Sequence, residues 1–476
     1  MIGRQKEKER IERVLKSDKA AFLAITGRRR VGKTYLIDTL LKEHYCFSLT
    51  GIQNANLKAQ LLNFAMKLAE YKGDNQPLMP ENWQMAFLEL KNYLKTLDKS
   101  KKQVIFIDEL PWLATAKSGL TQMLAHFWND YLSKESHFIL VICGSATSWI
   151  TKKIVQDTGG LHNRITENIH LYPFDIHETC AFLRHKGLQF SLQDAIKIQM
   201  TLGGIPFYLE HIERGETFAT AIERICFAPT GILYHEYDNL FKALFNHADL
   251  HQDIVRILAA EPYGMTHTEI LQKSSKKQAT GAYSRAMEEL IMSDFVLEYP
   301  PFGNKQRNAK YKLSDEYCNF YHRFVRPNAK KYTQGIWLQL ADSQQFKIWS
   351  GYTFENFCHK HIDKIKSALG ITAVFTQIYY LHFKENDEAQ GVQIDLLIDR
   401  KDNAMNLCEI KFHQGNFMLS KTDYQQLQAK KQRLIAHTKT KKQVFLTLIC
   451  NNEITTNEYS NEILDTTLSL EQIMKS

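Results

Sequence analysis

The sequence predicts an α/β protein with a parallel sheet at its N-terminus, followed by helical segments and a second α/β domain. Three observations lead to this prediction. An apolar run, Ala20 to Ile25, precedes Gly27 to Thr34, which fits the phosphate-loop pattern G-x-x-x-x-G-K-S/T at every fixed position. A second apolar run, Val104 to Ile107, ends in two acids. Near the C-terminus, two alternating segments carry acids at positions 395 and 409.

Composition and charge leave the functional class open. Hydrophobic residues make up 44% and charged residues 24% of the 476 residues, and the net charge is +8. These values are typical of soluble proteins of about three domains, and the positive charge permits a nucleic-acid partner. A charged N-terminus and the lack of an apolar run near ~18 residues argue against secretion and a membrane span. The eight cysteines lack C-x-x-C spacing, which favours buried thiols in the cytoplasm.

The loop at Gly27 to Thr34 has the residue types that phosphate binding needs. Its two glycines let successive N–H groups point at phosphate oxygens, and the helix that starts at Lys33 directs its positive end there. Lys33 would reach the β and γ phosphates, and the Thr34 hydroxyl would bind Mg²⁺. The predicted nucleotide contacts in this stretch are Gly27, Arg28, Arg29, Arg30, Val31, Gly32, Lys33, Thr34 and Tyr35. The phosphate pattern leaves the three arginines unexplained, and we expect them to pair with acids of another domain.

Two later strands would complete this first site. Asp108 and Glu109 follow a buried strand whose carboxyl end should face the phosphates, so Asp108 would hold Mg²⁺ and Glu109 would polarise the attacking water. Ser145 follows the apolar run Phe138 to Cys143, where it would sense the γ phosphate or serve only as a turn residue. Arg164 would contact the nucleotide of its own or a neighbouring subunit, although a solvated surface arginine is the alternative.

The middle of the chain has no catalytic cluster in its pattern. Helical spacing from Asp175 to Leu244 predicts a small helical domain, residues 171–245. Three helices and two strands then predict a winged helix-turn-helix over residues 246–325. Its basic residues suit phosphate contacts, but a winged helix also serves as an interdomain coupler. These basic residues are Lys276, Lys277, Arg285, Lys305, Arg307, Lys310 and Lys312. A linker is predicted through Arg326 to Lys331.

The last segment, residues 330–476, carries a second set of acids. An amphipathic helix over Tyr352 to Ala368 has Glu355 in its first turns, and two strands follow. A connection of odd length centred on Asp402 would place Asp395 opposite Glu409, whereas an even hairpin would separate the two acids. In the odd register one face would carry Asp395, Glu409 and Lys411, and the other would carry Ile394, Ile410 and Phe412. Two carboxylates and a lysine arranged in this way would bind Mg²⁺ at a scissile phosphate.

The first half of the chain resembles the prokaryotic P-loop ATPases of the AAA+ and STAND groups, including the archaeal-type ATPase family. The matching elements are Gly3-Arg4, GRRRVGKT, VIFIDEL with Pro111-Trp112, CGSATSWI, Leu171 to Phe174, and Gly204-Ile205-Pro206. The resemblance implies an N-terminal ATPase domain, residues 1–170, whose nucleotide state changes the arrangement of domains. It also implies ATP as the nucleotide, with Pro206 near the adenine and Gly3 and Arg4 near the base.

The C-terminal acids resemble the PD-(D/E)xK nuclease superfamily, which has a restriction-endonuclease-like fold. By this resemblance Glu355 is the helix acid, Asp395 the first strand acid, and Glu409 and Lys411 the paired element. Such domains accompany the ATPase type named above, and some members keep the fold without the activity.

The leading hypothesis is an ATPase that couples its nucleotide state to a DNA-binding, Mg²⁺-dependent nuclease-like domain. The alternative is an ATP-dependent switch or scaffold whose nuclease-fold domain is silent and binds DNA or a protein partner. A transcription regulator that uses the winged helix is a third hypothesis. A homo-oligomer, a cytoplasmic location and the absence of a membrane partner are further expectations.

Overall fold

A computed structural model describes residues 1–156, 159–245, 248–275, 279–300, 302, 309–329, 333–383 and 391–475. The first part of the chain folds around a five-stranded sheet of order β2-β3-β4-β1-β5, in which all neighbouring strands are parallel. The strands are apolar because helices cover both faces of the sheet. They are β1 (Ala21–Thr26), β2 (Tyr45–Thr50), β3 (Gln103–Asp108), β4 (Phe138–Cys143) and β5 (Glu167–His170).

Over the described residues, seven α-helices accompany this sheet. The stretch predicted as helical from Asn56 to Leu97 consists of two helices, each capped by an asparagine side chain, Asn56 and Asn82. The first of the two ends at Gly73, which has a positive φ of 73°. The seven helices are α1 (Gln5–Lys16), α2 (Lys33–Leu41), α3 (Leu57–Lys72), α4 (Trp83–Leu94), α5 (Leu110–Leu113), α6 (Leu120–Asp130) and α7 (Thr147–Ile150).

The segment after β5 is helical, as its periodicity predicts. Asp175 caps the first of its helices and exchanges hydrogen bonds with Glu178 in a capping box. Pro206 occupies the first turn of the third helix, where its missing N–H has no partner to lose. The helices are α8 (Ile176–His185), α9 (Leu192–Leu202), α10 (Pro206–Glu210), α11 (Phe218–Ile222) and α12 (Glu236–Leu244).

Three helices and a small antiparallel sheet of order β6-β8-β7 come next. Their order agrees with the predicted one, and the short strand β6 pairs with β8 beside the expected hairpin. Lys276, Lys277, Lys305 and Arg307 lie outside the described residues. The elements are α13 (Ala248–Ala259), β6 (Met265–Thr266), α14 (His267–Lys273), α15 (Thr280–Met292), β7 (Val296–Tyr299) and β8 (Lys310–Leu313).

The linker predicted from Arg326 is wrong over the residues that the structure describes there. Helix α16 (Glu316–Phe320) continues through the helical turn Tyr321–Val325 into α17 (Arg326–Asn328), and a proline is tolerated in that short helix's first turn. Lys330 and Lys331 lie outside the described residues. The next helix, α18 (Ile336–Leu340), contributes Trp337, whose ring stacks on Phe227 at 5.4 Å between centroids.

The C-terminal part is built on a second five-stranded sheet, of order β15-β13-β11-β10-β9. Strands β9, β10 and β11 are antiparallel to their neighbours in that set, whereas β11, β13 and β15 run parallel. The strands of this sheet are β9 (Thr376–Phe383), β10 (Val392–Arg400), β11 (Ala404–Lys411), β13 (Gln443–Cys450) and β15 (Thr466–Ser469). Two short strands, β12 (Phe417–Met418) and β14 (Ile454–Thr455), pair in parallel as a separate sheet. The helices of the C-terminal part are α19 (Gln344–Lys360), α20 (Ile362–Ala368), α21 (Lys421–Thr438), α22 (Glu458–Ile463) and α23 (Leu470–Lys475).

The hairpin of β10 and β11 has the odd register. Leu396 pairs with Cys408 and Asp399 with Met405, so the connection is centred on Asp402. The predicted division of faces is wrong for Ile394, which packs with Leu397 and Leu407, away from Ile410. A register shift between Ile394 and Leu397 causes this, because a β-bulge breaks the alternation of side chains.

The helix predicted from Tyr352 begins earlier and is interrupted. Helix α19 starts after Ser343, whose side chain accepts a hydrogen bond from the N–H of Phe346. It ends at Lys360, and His361 separates it from α20. Glu355 therefore lies well inside α19 rather than in its first turns.

The eight cysteines are free thiols, and burial raises the pKa of several of them, including Cys46 to about 12. None of the described helices combines the length and hydrophobicity that a bilayer crossing requires.

Candidate nucleotide site and carboxylate cluster

The loop between β1 and α2 requires glycine at two positions. Gly27 has φ 139°, and a Cβ there would lie 2.3 Å from the carbonyl oxygen of Leu171. Gly32 has φ 92° and directly precedes α2, and a Cβ there would meet no described atom within 4 Å. The first glycine is required by close packing and the second by its left-handed backbone. Open space therefore lies at the N-terminus of α2, where N–H groups and the helix dipole favour an anion.

The Lys33 ammonium lies inside this loop and is almost fully buried. It donates hydrogen bonds of 3.0 Å to the carbonyl oxygens of both Gly27 and Arg28, and one of 3.1 Å to Ser145 Oγ. All three of these acceptors are neutral, so the positive charge lacks a carboxylate among them. This arrangement fits an anionic phosphate.

The acids at the end of β3 face the loop, as the sequence predicts. Thr34 Oγ1 donates a 2.9 Å hydrogen bond to Asp108 Oδ2, and Asp108 Oδ1 accepts one from the N–H of Glu109. Hydroxyl and carboxylate oxygens are the ligands that Mg²⁺ prefers, and the two side chains are already adjacent. These residues therefore fit a nucleotide-bound Mg²⁺.

Ser145 connects Lys33 to Glu109. Its hydroxyl donates to Glu109 Oε1 at 2.8 Å, and its N–H donates to Glu109 Oε2 at 3.0 Å. The same hydroxyl accepts the hydrogen bond from Lys33. Glu109 has a left-handed backbone with φ 47°, a conformation that is uncommon outside glycine. The lysine, the serine and the glutamate thus form one chain of hydrogen bonds.

A cavity of about 630 Å³ opens beside the loop. Six predicted contacts line it: Arg4, Arg30, Val31, Gly32, Tyr35 and, from the helical segment, Pro206. Sequence reasoning missed the aromatic walls, Phe174 and Phe207. Phe174 belongs to the Leu171 to Phe174 element that carried the resemblance, and Phe207 directly follows Pro206, so both had a signal in the sequence.

Arg4 shapes this cavity through its contacts with backbone carbonyls. Its guanidinium donates to the carbonyl oxygens of Tyr172 at 2.6 Å and Val31 at 3.1 Å, and it lies over the Phe174 ring. Burial lowers its pKa. Gly3, which has φ 65°, brings the N–H of Arg4 to within 2.7 Å of Glu178 Oε1.

Two of the loop arginines pair with acids far along the chain, as expected. Arg28 forms an ion pair with Asp315, which precedes α16, and both side chains are almost fully buried. The Arg28 guanidinium also lies over the Phe295 ring. Arg30 pairs with Glu236 at 3.0 Å.

Two further predicted residues of the first site, Arg29 and Arg164, differ in how far they are buried. Arg29 has a buried Nη1 atom that finds no hydrogen-bond partner in the described part of the chain. Arg164 has an exposed side chain in the turn before β5. The structure therefore brings Arg164 to the surface of the chain rather than into the loop's hydrogen-bond network.

The C-terminal acids gather with lysines from three different elements. Glu409 Oε1 lies 2.9 Å from Lys411 Nζ, and Glu409 Oε2 lies 2.5 Å from Lys430 Nζ on α21. Asp395 Oδ2 accepts a 3.0 Å hydrogen bond from the N–H of Ile410. Burial and the charge of Glu409 raise the pKa of Asp395.

Glu355 faces a lysine from outside this sheet. Lys312 of β8 places its Nζ 3.8 Å from Glu355 Oε2, and the Lys312 side chain is only 4% exposed. Burial is the main cause that raises the pKa of Glu355, and Asp395 and Glu409 add to it. The prediction that Lys312 contacts a phosphate backbone is wrong for this arrangement, because the side chain is buried.

Carboxylate oxygens are ligands that Mg²⁺ prefers, but lysines pair with two of the three acids of this cluster, Glu355 and Glu409. Within the described ranges, no three His, Cys, Asp or Glu side chains come close enough together to bind a metal ion. Lys430 of α21 belongs to the cluster through its ion pair with Glu409, and Lys442 pairs with Asp399.

Residues 1–212 match the model of a family described as an ATPase domain predominantly from Archaea. With the loop, the acids at the end of β3 and the parallel sheet, this match identifies an ATPase domain of the P-loop type at the N-terminus. The match ends well before the C-terminal sheet.

Relatives over most of the chain are distant. An uncharacterized protein of Methanocaldococcus jannaschii is 23% identical over 420 residues, 86% of this chain and 87% of that protein. Among solved structures, a Walker-type ATPase of Pyrococcus abyssi matches with a TM-score of 0.49 and 19% identity, over 68% of this chain and 96% of that one. The structure of the Aeropyrum pernix ORC2 protein, in ADPNP and ADP complexes, matches with a TM-score of 0.43 and 14% identity. The match covers 69% of this chain and 94% of that one. No shared substrate or partner follows from scores this low.

Proposed function

We propose that the N-terminal site binds and hydrolyses ATP, and that its nucleotide state controls the C-terminal carboxylate cluster. Lys33 would exchange its neutral carbonyl partners for phosphate oxygens, and the N–H groups around Gly32 would hold the same phosphates. Thr34 and Asp108 would hold Mg²⁺, which neutralises developing charge on the phosphates when bound. Glu109 would orient the attacking water.

The chain Lys33, Ser145 and Glu109 is the observation that carries this proposal. Neutral oxygens accept the hydrogen bonds of Lys33, and Ser145 donates to Glu109. An anionic phosphate can replace these hydrogen bonds of Lys33 and Ser145. When the phosphate takes the lysine and the serine hydroxyl, Glu109 loses one hydrogen bond and becomes available to water. The adenine base would bind in the cavity that Arg4 and Pro206 line.

Lys33→Ala tests the ATP site. Binding of a fluorescent ATP analogue and release of phosphate should both fall to background, because the ammonium that neutralises the phosphates is gone. Lys42→Ala, a lysine just after α2, is the control and should bind ATP as the unaltered protein does. Unchanged affinity in Lys33→Ala would remove the assignment.

The ion pairs of the loop arginines support coupling between the nucleotide site and the later segments of the chain. Arg28 pairs with Asp315, and Arg30 pairs with Glu236. A change in the loop backbone would therefore move acids in two later segments. The exposed Arg164 would serve a neighbouring subunit if the protein assembles into a homo-oligomer.

For the C-terminal cluster we propose Mg²⁺-dependent cleavage of DNA. Asp395 and Glu409 would hold the metal, Lys411 would stabilise negative charge on the phosphate, and Glu355 would assist from α19. The restriction-endonuclease-like assignment and the winged-helix assignment are part of this proposal. Lys411→Ala should abolish cleavage of labelled single-stranded, duplex and branched DNA, and Lys431→Ala, on the following helix, should not.

The second candidate is a switch without nuclease activity. Its supporting observation is that lysines already hold both oxygens of Glu409. This candidate is favoured if the unaltered protein cleaves none of these DNAs in the presence of ATP and Mg²⁺ or Mn²⁺. Its activity would then be direct binding of DNA or of a partner protein.

A further inference from the structure

The hairpin of β7 and β8 closes the carboxylate cluster of the C-terminal sheet. Lys312 extends from β8 toward Glu355, and its side chain is buried. Its Nζ atom also lies over the Tyr380 ring at 4.8 Å. The backbone joins the contact, because Asn356 Nδ2 on α19 donates to the carbonyl oxygen of Leu313 at 3.3 Å.

Aromatic side chains seal the same junction. Tyr299 of β7 lies against His359 of α19, with ring centroids 5.2 Å apart, and against Tyr380 of β9 at 6.2 Å. Nearby, the hydroxyls of Tyr263 and Tyr352 are hydrogen-bonded at 2.9 Å. The hairpin is therefore packed against both the helix and the sheet that carry the acids.

Several polar atoms at this junction are buried without a hydrogen bond. They are Lys312 Nζ, Glu355 Oε2, Tyr299 OH and Tyr380 OH, counted over the described residues. At 3.8 Å the lysine and the glutamate attract each other but do not form a hydrogen bond. A buried ammonium that lacks a hydrogen bond is costly, and the negative charge of the cluster, together with the Tyr380 ring, offsets that cost.

We propose that Lys312 is a built-in substitute for the divalent cation of this cluster, and that the hairpin holds the site closed against metal. The ammonium supplies the positive charge that the carboxylates need in this arrangement. A metal ion would bring a second charge into the same enclosed space, so it binds only when Lys312 withdraws. The hairpin adjoins Asp315, the partner of Arg28, which gives the ATP site a direct route to this movement.

This inference rests on the proposed metal-binding role of Asp395 and Glu409, and its test separates the two. Free Mn²⁺ is counted by electron paramagnetic resonance while the full chain is titrated without nucleotide. The unaltered protein should bind Mn²⁺ at this cluster at least ten times more weakly than Lys312→Met. Lys347→Met, which removes an exposed lysine from the start of the same helix as Glu355, should match the unaltered protein.

The outcomes are distinct. Equal Mn²⁺ affinity of Lys312→Met and the unaltered protein overturns the inference. Tighter binding that disappears on adding Asp395→Asn supports it. If Lys312→Met binds Mn²⁺ yet cleaves no DNA, the inference stands and the nuclease proposal fails. If Lys312→Met does not fold, Mn²⁺ affinity is compared between Glu355→Gln and the double variant Lys312→Met/Glu355→Gln. The double variant is suitable because it leaves no unpaired charge between these two positions. Equal affinity of these two also overturns the inference.

Discussion

Arg28→Met would remove one partner of the ion pair that joins the phosphate loop to α16. Arg28 is 2% exposed and Asp315 is 1% exposed, so little water can replace the lost guanidinium. Leaving one buried charge unpaired costs about 3–5 kcal/mol. For a cooperative unit of about 200 residues, each kcal/mol lowers Tm by roughly 2–4 °C. We therefore expect Tm to fall by at least ~6 °C.

Differential scanning calorimetry without nucleotide measures this loss, and a double-mutant cycle isolates the pair. Asp315→Asn keeps the oxygen that caps α16 by accepting from the N–H of Cys318 at 2.7 Å. The double variant Arg28→Met/Asp315→Asn should lose at least ~1 kcal/mol less than the sum of the single variants, because it leaves no unpaired charge.

A surface pair provides the control for this cycle. Arg10 and Glu167 lie 2.5 Å apart with side chains 37% and 18% exposed. Such a pair contributes at most ~1 kcal/mol, so Arg10→Met should lower Tm only slightly. The reasoning is refuted if Arg28→Met lowers Tm no more than Arg10→Met, or if the single losses in the cycle simply add.

Two further predictions concern the ATP site. Ser145→Ala removes the hydroxyl that links Lys33 to Glu109, and we expect kcat for ATP hydrolysis to fall roughly ten- to a hundredfold while KM changes little. Steady-state phosphate release checks this, and a rise in KM with unchanged kcat would contradict it. Gly27→Ala would place a Cβ 2.3 Å from the Leu171 carbonyl oxygen, whereas at Gly32 the space is open. Gly27→Ala should therefore cost about 1–3 kcal/mol more than Gly32→Ala in thermal unfolding, and equal losses would show that the backbone there can shift.

The local part of the first site was readable from the sequence because its residues lie at fixed spacing on one strand, loop and helix. Lys33 and Thr34 are six and seven residues after Gly27, and β3 delivers Asp108 and Glu109 to the same edge, as a parallel sheet requires. The odd hairpin register was one of two open possibilities, and only strand pairing selected it. The bulge beside Asp395, which turned Ile394 away, had no signal in the alternation itself.

The sequence by itself determined which groups are present and which of them share one element: the glycine loop, the acids after β3, and Glu409 with Lys411. Tertiary structure alone decided the partners that come from distant parts of the chain. Lys312 is a basic residue in a predicted wing, and nothing in its neighbours indicates that it is buried beside Glu355. Likewise, the sequence does not indicate that Arg28 pairs with Asp315 or that Arg30 pairs with Glu236. The physical reason is that a charge pattern records spacing along the chain, whereas burial and ion pairing depend on how separate elements pack together.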